Sequence, residues 1–465
     1  MGIEGNMRVA VVGAGLAGLG AAWRLAREGC DVILLERESR AGGRAVGTEA
    51  AGFAVDRRIP LLSSADRNLL GWLAELGLGE ELLPLRTVEL AQLRRGRVRP
   101  IDPRGLAGIA RIPGVSPRGW ARLPRLPRLM NRYRPLLDSA APERAASLDF
   151  RSAADFGRLY FGRSLSERWI APTLTCVYLS DECELSRVAF LLEWAAGREG
   201  SAIQGIAHAG LHAATEAAAA ELAPRFGCDV QRVEARGSEG FRVSCWAPPG
   251  DPTRACDEVD DGFEVDAVVM ATAAPAAGRI AASLITPPER DYLAAVDYSP
   301  TVTLSLALER PLTGVPQHVR IPHADGWPIE HYLVEPGIGD GRAPSGCGLI
   351  TVAATERFAL THAKVTDEVV EKALLAALER VYPRLRRLVR FTRLERCADA
   401  VPRFHVGAYR ALARFRRVQS DRRSLGRRLY FAGDYLSGPR PESELASGFR
   451  AARALLADGD IGVGA

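Results

Sequence analysis

Lysine is nearly missing from this chain. Only Lys364 and Lys372 stand among 61 basic residues in a length of 465, and arginine supplies the rest. A P-loop is therefore excluded, because that phosphate cradle ends in a lysine set beside its glycines. Neither a Gly-x-Ser-x-Gly elbow nor a His-Glu-x-x-His occurs, which removes the serine-hydrolase and zinc-protease signatures. The eight cysteines, at 30, 176, 183, 228, 245, 256, 347 and 397, form no Cys-x-x-Cys. In a reducing compartment they are expected as small core residues, not as disulfides or metal ligands. No unbroken apolar run is long enough to cross a bilayer. The first strand begins near Met7, so no leader segment is expected and the expected location is cytoplasmic. A net charge of +5 over this length argues for no nucleic-acid partner.

What remains has ordinary globular composition, 47% apolar and 25% charged, in a chain too long for one simple core. Arg8 to Val12 is a short apolar strand, "GAGLAGLGAAWRLAREG" a helix entered through glycines, and "DVILLE" a second strand ending in an acid. That is a βαβ opening, and the fold class expected is α/β. Strands of the same sheet return near 228–272 and 429–433, and "ESELASGFRAARALLA" is a closing helix. One nucleotide domain is thus expected from three segments, 1–62, 200–285 and 400–465. A second, substrate-binding domain, 63–199 and 286–399, is interleaved with it. The second domain is expected to be α+β. It has strand-like "TVTLSLALE" and "CGLITVAA" in a mixed sheet, and a Pro- and Arg-rich helical insertion near 100–195.

Gly13-Ala-Gly15-Leu-Ala-Gly18 is a G-x-G-x-x-G in its full context: a strand before it, a helix after it, and Glu36 ending the next strand. Gly13 permits the tight turn, Gly15 lets backbone approach a pyrophosphate, and Gly18 lets helix pack on strand. Leu16 and Ala17 open the helix whose free N–H groups face the phosphates. Glu36 can accept from a ribose diol, and Arg37 follows it. A nicotinamide site needs nothing more. Here Gly42-Gly43-Arg44 follows within eight residues and can bring further N–H groups and a guanidinium to the same phosphates.

With these motifs the chain resembles the flavin amine oxidase superfamily, which carries the glycine fingerprint, the acid and then a Gly-Gly-Arg. The resemblance implies FAD as cofactor, held in a Rossmann-like domain of the glutathione-reductase type. "DVQRVEA" looks like the family strand whose valine backbone meets the adenine, here Val230, and "LYFAGDY" resembles its ribityl segment, with Gly433 and Asp434. The helix beginning near Glu442, with Ser443 and Leu445, would point its N–H groups at the flavin and favour the anionic reduced form. Tyr435 would offer a ring beside it.

Amine oxidases of the family usually place a lysine by the flavin, yet the matching stretch, "YSPTVTLSLALERP", has none. "TCVYLSDECELSRVAF" (175–190) and "VPRFHVG" (401–407) are similar to segments of protoporphyrinogen oxidases, with Cys176 and Ser180 where glycines are usual and "DRRIPLLSS" replacing a family turn. The Asp of "FAGDY" is typical of carotenoid-type desaturases. The resemblance implies dehydrogenation of an apolar or cyclic small molecule by hydride transfer to flavin, with dioxygen or a quinone as electron acceptor. An isoprenoid desaturase is the alternative; an amine oxidase or a flavin-holding protein without turnover stands behind both. No acid–base pair is evident, so no catalytic residue is assigned. Arg57, Arg58 and Arg187 are candidates for a propionate by position only, against a surface or fold-stabilising role.

His208 and His212 share a helix face at i, i+4, but a third ligand is not evident and no metal is expected. Residues 103–137 contain eight arginines and no acid, interleaved with Trp120, Leu123, Leu126, Leu129 and Met130. Such a surface can lie peripherally on an anionic membrane or be a solvated face, and prolines in "SPRGWARLPRLP" oppose one long helix.

Overall fold

The computed structural model describes residues 6–59, 61–82, 88–197, 204–206, 210–237, 240–246, 262–335 and 342–461. His208 and Cys256 lie outside them. The chain divides into two compact units: 1–46, 213–297 and 411–465 form the first, and 47–212 and 298–410 the second.

The first unit is built on a four-stranded parallel sheet. Its central strand is β1 (Arg8–Val12), flanked by β2 (Asp31–Leu35) on one side and β3 (Ala267–Met270) on the other, with β4 (Leu429–Phe431) outermost. Val12 pairs with Leu35 and with Met270, and Met270 in turn with Phe431. β3 is buried at all four positions. A parallel strand covered on both faces reads as a continuous apolar run, which "AVVM" is. Helix α1 (Leu16–Arg27) crosses from β1 to β2 and packs on α2 (Pro441–Ile461). The contact is close because glycines make it so. A Cβ on Gly20 would fall 2.7 Å from Cδ1 of Leu445, and one on Gly448 would overlap the carbonyl of Ala17. A three-stranded antiparallel sheet, Asp229–Arg236, Gly240–Trp246 and Phe263–Val265, completes the unit and joins its core through Val230, Val233 and Val243.

The second unit holds a seven-stranded mixed sheet. Its order is Val389–Pro402, Tyr298–Leu308, Gly348–Ala354, Ile329–Glu335, His318–Arg320, Leu90–Arg94 and Arg97–Pro100. All pairs are antiparallel except the parallel pair of His318–Arg320 with Leu90–Arg94. Strict alternation in "YSPTVTLSLAL" sends Val302, Leu304, Leu306 and Leu308 to one face, where Leu374 and Leu378 of helix Asp367–Glu379 cover them. The opposite face carries Thr301, Thr303 and Ser305. Residues 105–195 form a helical region around its own aromatic core, in which Trp169 meets Phe161, Phe190 and Trp194 edge-on. Among the described residues, no helix is long and apolar enough to cross a membrane.

Candidate functional site

The turn from β1 to α1 shows why each glycine stands where it does. Gly13 has φ +100, and a Cβ there would sit 2.9 Å from the carbonyl oxygen of Ala271. A Cβ on Gly18 would overlap the carbonyl of Gly13. Gly15 differs: its φ is −72 and an added Cβ meets nothing within 4 Å. No contact within the protein requires glycine at 15. Open space lies over the backbone at the start of α1, where the N–H groups of Gly15, Leu16 and Ala17 have no helical acceptors.

The second glycine turn packs onto the first. Gly42 donates its N–H to the Ala14 carbonyl at 2.8 Å and bridges Gly15 in register. A Cβ on Gly43 would reach 3.3 Å from the Cα of Gly15, and one on Gly42, at φ +117, would press to 2.9 Å from the Thr215 hydroxyl. Gly-Gly-Arg follows the first motif so soon because two backbones meet there without side chains, and Arg44 is delivered beside them. Arg44 Nη1 lies 2.5 Å from Asp434 Oδ2, and Nη2 lies 3.9 Å from Glu444 Oε2. Asp434 is 1% exposed; Oδ1 accepts the Tyr435 N–H at 2.8 Å, whereas Oδ2 has the ion pair but no aligned hydrogen bond. A buried carboxylate oxygen in that state is incompletely satisfied.

Glu36 accepts from the N–H of Ala14 at 2.7 Å through Oε2 and of Glu38 at 2.9 Å through Oε1, which fixes the carboxylate. Each oxygen keeps a second lone pair for a diol. Arg37 is exposed and pairs with Glu38 at 3.4 Å, a contact of little weight in water. Val230 is buried opposite Cys245, beside a bulge at Ser244/Cys245. Gly433 donates its N–H to the Ser447 hydroxyl at 3.0 Å. Glu442 and Ser443 are buried in the first turn of α2. Leu445 serves the packing of α2 on Gly20. Glu442 and Glu444 also bring two carboxylates to that helix end, which offsets its positive pole. The open ground above Gly15, the half-satisfied Asp434 oxygen and the guanidinium of Arg44 fit the phosphates and hydroxyls of a dinucleotide. Thr215 and Glu444 take part without having been singled out from the sequence. Nothing marks Thr215 there, but the doubled acid of "ESE" at a helix start was a signal for Glu444.

Tyr435 does not do what the sequence leads one to expect. Its ring is 1% exposed within the first unit's core, beneath Gly433, and the Tyr292 hydroxyl donates to its carbonyl at 2.7 Å. Burial raises its phenol well above 10, so it is a neutral core residue.

In the second unit, the sheet face away from the apolar core is polar and buried. Thr301, Thr303, Ser305, Thr351, Gln92, His318, Arg320 and His331 are each at most 4% exposed. The register places Arg320 opposite His331, and the His318 and His331 rings meet at 3.1 Å between Nε2 and Nδ1. Burial, with Arg320 and Arg58 near by, pushes His331 down to about 3, so it is neutral. Arg320 Nη1 donates to Thr173 Oγ1 at 3.4 Å. The histidine pair is 13 residues apart in sequence and becomes a pair only through strand register.

Other expectations resolve into structural roles. Arg187 is 1% exposed, donates through Nε to the Leu148 carbonyl at 2.7 Å and lies 4.0 Å from the Phe150 ring centroid. It ties the helical region together. Arg57 pairs with Glu395 at 3.8 Å. His212 Nδ1 lies 3.3 Å from Asp56 Oδ1, and Arg342 bridges Asp56 and Glu335, a buried network that holds the Asp56 carboxyl below its usual range despite burial. The segments 175–190 and 401–407 pack together: Ser186 donates its N–H to the Phe404 carbonyl at 2.8 Å. Asp149 collects the Ser186 hydroxyl and the Gly407 and Tyr409 N–H groups at 2.7, 2.9 and 2.8 Å. Of the apolar residues in 103–137, Leu123 and Leu126 are buried in the helical region's own core and Leu129 and Met130 pack against it, while Trp120 is 49% exposed.

Comparison with known proteins shows the family and the fold. The profile of the family described as flavin containing amine oxidoreductase matches residues 16–456. A Mycobacterium tuberculosis protein provisionally named a flavin-containing monoamine oxidase is 32% identical over 112 residues, 22% of this chain and 24% of that protein. The match thus spans about a quarter of that relative's length. A crystal structure from an Exiguobacterium species, provisionally named a protoporphyrinogen oxidase, superposes with a TM-score of 0.72 at 18% identity, over 99% of this chain and 100% of that one. Putrescine oxidase bound to putrescine gives 0.76 at 17%, over 97% and 99%. At these identities the structural likenesses establish the fold.

Proposed function

The chain belongs to the flavin-containing amine oxidoreductases, and from that premise we propose that it dehydrogenates an apolar or cyclic small molecule with chemistry like that of protoporphyrinogen oxidases. FAD, when bound, supplies a two-electron acceptor for a hydride leaving carbon. Glu36 would hold the ribose diol. The first turn of α1 with Gly15, Gly43 and Arg44 would hold the phosphates, Asp434 a ribityl hydroxyl and the Val230 main chain the adenine. The helix start at Glu442 and Ser443 would face the flavin ring. Dioxygen or a quinone is the proposed electron acceptor.

The observation that carries the choice of substrate class is the position of the lysines. Lys364 and Lys372 are both exposed, beside or on the helix that backs the sheet's apolar face. The polar face instead offers hydroxyls, a neutral imidazole and a guanidinium. Arg320 there would meet an acidic substituent, and the His318–His331 pair, with His331 neutral, would hydrogen-bond a ring N–H of the substrate. An isoprenoid, the second reading, would offer no hydrogen-bond partner to the buried row Thr301, Thr303, Ser305, which places it second. Contact of 103–137 with a membrane surface stays in the proposal through its arginines and the exposed Trp120, since Leu123 and Leu126 are already packed inside.

The test mixes FAD-loaded protein with protoporphyrinogen IX in air and follows porphyrin fluorescence against a control without enzyme, with phytoene and putrescine assayed in parallel. A rate that scales with enzyme on the porphyrinogen, and falls in His331→Asn, supports the proposal. Turnover of phytoene or putrescine alone overturns it.

A further inference from the structure

The helical region of the second unit contains a cleft of about 470 Å³ whose lining shares no residue with the sites described above. Arg94, Arg118, Arg122, Arg163 and Arg168 line it, against one carboxylate, Glu167. Two of these arginines are neutralised. Arg163 Nε donates to Glu167 Oε1 at 2.6 Å, and Arg168 Nη1 donates to both oxygens of Asp325, at 2.9 and 3.0 Å. Among the described residues, Arg94, Arg118 and Arg122 have no carboxylate at ion-pair distance.

A lone surface arginine needs no partner, because water solvates it. Two observations separate this group from that case. Arg94 and Arg122 are half-buried, and glycines make room for both. A Cβ on Gly114 would overlap the Arg94 guanidinium, and one on Gly162 would come within 3.1 Å of Arg122 Nη1. The second observation is the hydrogen-bond account of Ser116 and Ser164. Ser116 Oγ accepts the Gly119 N–H at 3.2 Å, Ser164 Oγ accepts the Ser116 N–H at 3.1 Å, and the two hydroxyls stand 2.9 Å apart. One hydroxyl proton fills that contact. The other is left to donate outward. The cleft therefore presents guanidinium and hydroxyl donors, and its one carboxylate is already engaged.

We propose that this cleft binds a phosphate-bearing anion. Guanidinium forks match phosphate oxygens in pairs, and a phosphate offers enough acceptors for two forks and a hydroxyl at once. The volume exceeds one phosphate and is of the size of small-molecule sites, about 300–1,000 Å³. A free phosphorylated metabolite and a phospholipid headgroup share this chemistry.

The experiment uses full-length, FAD-saturated protein, so that flavin fills the first unit's phosphate cradle, and its visible absorbance records that separately. Sodium pyrophosphate is titrated calorimetrically at low ionic strength. The expected result is one site per chain, weakened at least tenfold in Arg94→Gln/Arg122→Gln. It should be unchanged in Arg357→Gln/Arg387→Gln, which removes the same charge from exposed positions outside the cleft. Arg122→Lys, with the charge but not the fork, should fall between. If the cleft variant loses flavin or melts early, Arg118→Gln, at an exposed position, is read in its place. Flotation with phosphatidylglycerol vesicles, against phosphatidylcholine, distinguishes the source. Pyrophosphate binding indicates a free phosphorylated molecule, and flotation abolished by the cleft variant indicates a lipid phosphate. Absence of both, or equal effects of the two double variants, overturns the proposal.

Discussion

Alanine at position 15 and alanine at position 18 should have opposite consequences. At Gly15 the backbone has an ordinary φ of −72, and a Cβ would meet nothing within 4 Å. Losing glycine as the N-cap of α1 costs up to about 1 kcal/mol, and restricting the unfolded chain returns about 0.4–1 kcal/mol. The flavin-free Gly15→Ala protein should therefore stay within about 0.5 kcal/mol of wild type. Its FAD affinity should fall at least tenfold, about 1.4 kcal/mol, because the methyl group fills the space left for the ligand. At Gly18 the methyl group overlaps the Gly13 carbonyl, so α1 must move off β1. Overpacking of this kind costs about 1–3 kcal/mol or more before any ligand is added. Urea denaturation of flavin-free protein measures the first quantity, and quenching of FAD fluorescence the second. Wild-type FAD affinity in Gly15→Ala would refute the reasoning, whatever Gly18→Ala does.

Three further outcomes follow from particular contacts. Arg44→Ala should weaken FAD binding at least tenfold by fluorescence titration, and it should lower stability by about 3 kcal/mol by leaving Asp434 buried without its cation. His331 is held down to about 3 by burial and by Arg320 and Arg58, so between pH 6.5 and 3 the unfolded chain takes a proton that the folded chain refuses. Stability should fall as pH drops through that window, and His331→Gln should flatten the slope in urea midpoints measured from pH 6.5 to 4. His323 behaves in reverse. Burial opposes its charge, but Glu182 and Glu330 on its two nitrogens raise it to about 11. Its contribution is complete below pH 6.5 and is lost as pH rises toward 11, so His323→Gln should narrow the loss of melting temperature between pH 7 and 10.

The βαβ opening of the first unit was legible because its requirements are local. Gly13, Gly18 and Glu36 are set by one turn, one helix contact and one strand end, all within 24 residues, and Gly42 and Gly43 add a second turn within eight residues of Glu36. The mixed sheet was legible for the same reason, since Val302, Leu304 and Leu306 alternate with Thr301, Thr303 and Ser305. The His318–His331 pair was not, because register across two strands makes it and no spacing announces it. Tyr435 was misplaced because a motif gives the course of the backbone at Gly433–Asp434 but not which way the next ring turns. The arginine-rich stretch 103–137 was ambiguous on physical grounds. Its period says that Leu123 and Leu126 are buried, not whether protein or lipid buries them, and the structure buries both in the second unit's own core.

The most direct test of the account is the number of FAD molecules released when the purified, reconstituted chain is denatured and its flavin counted. The account predicts one FAD per chain, lost in Gly15→Ala and Arg44→Ala while both remain folded. A wild-type chain that holds no flavin after incubation with FAD would contradict it.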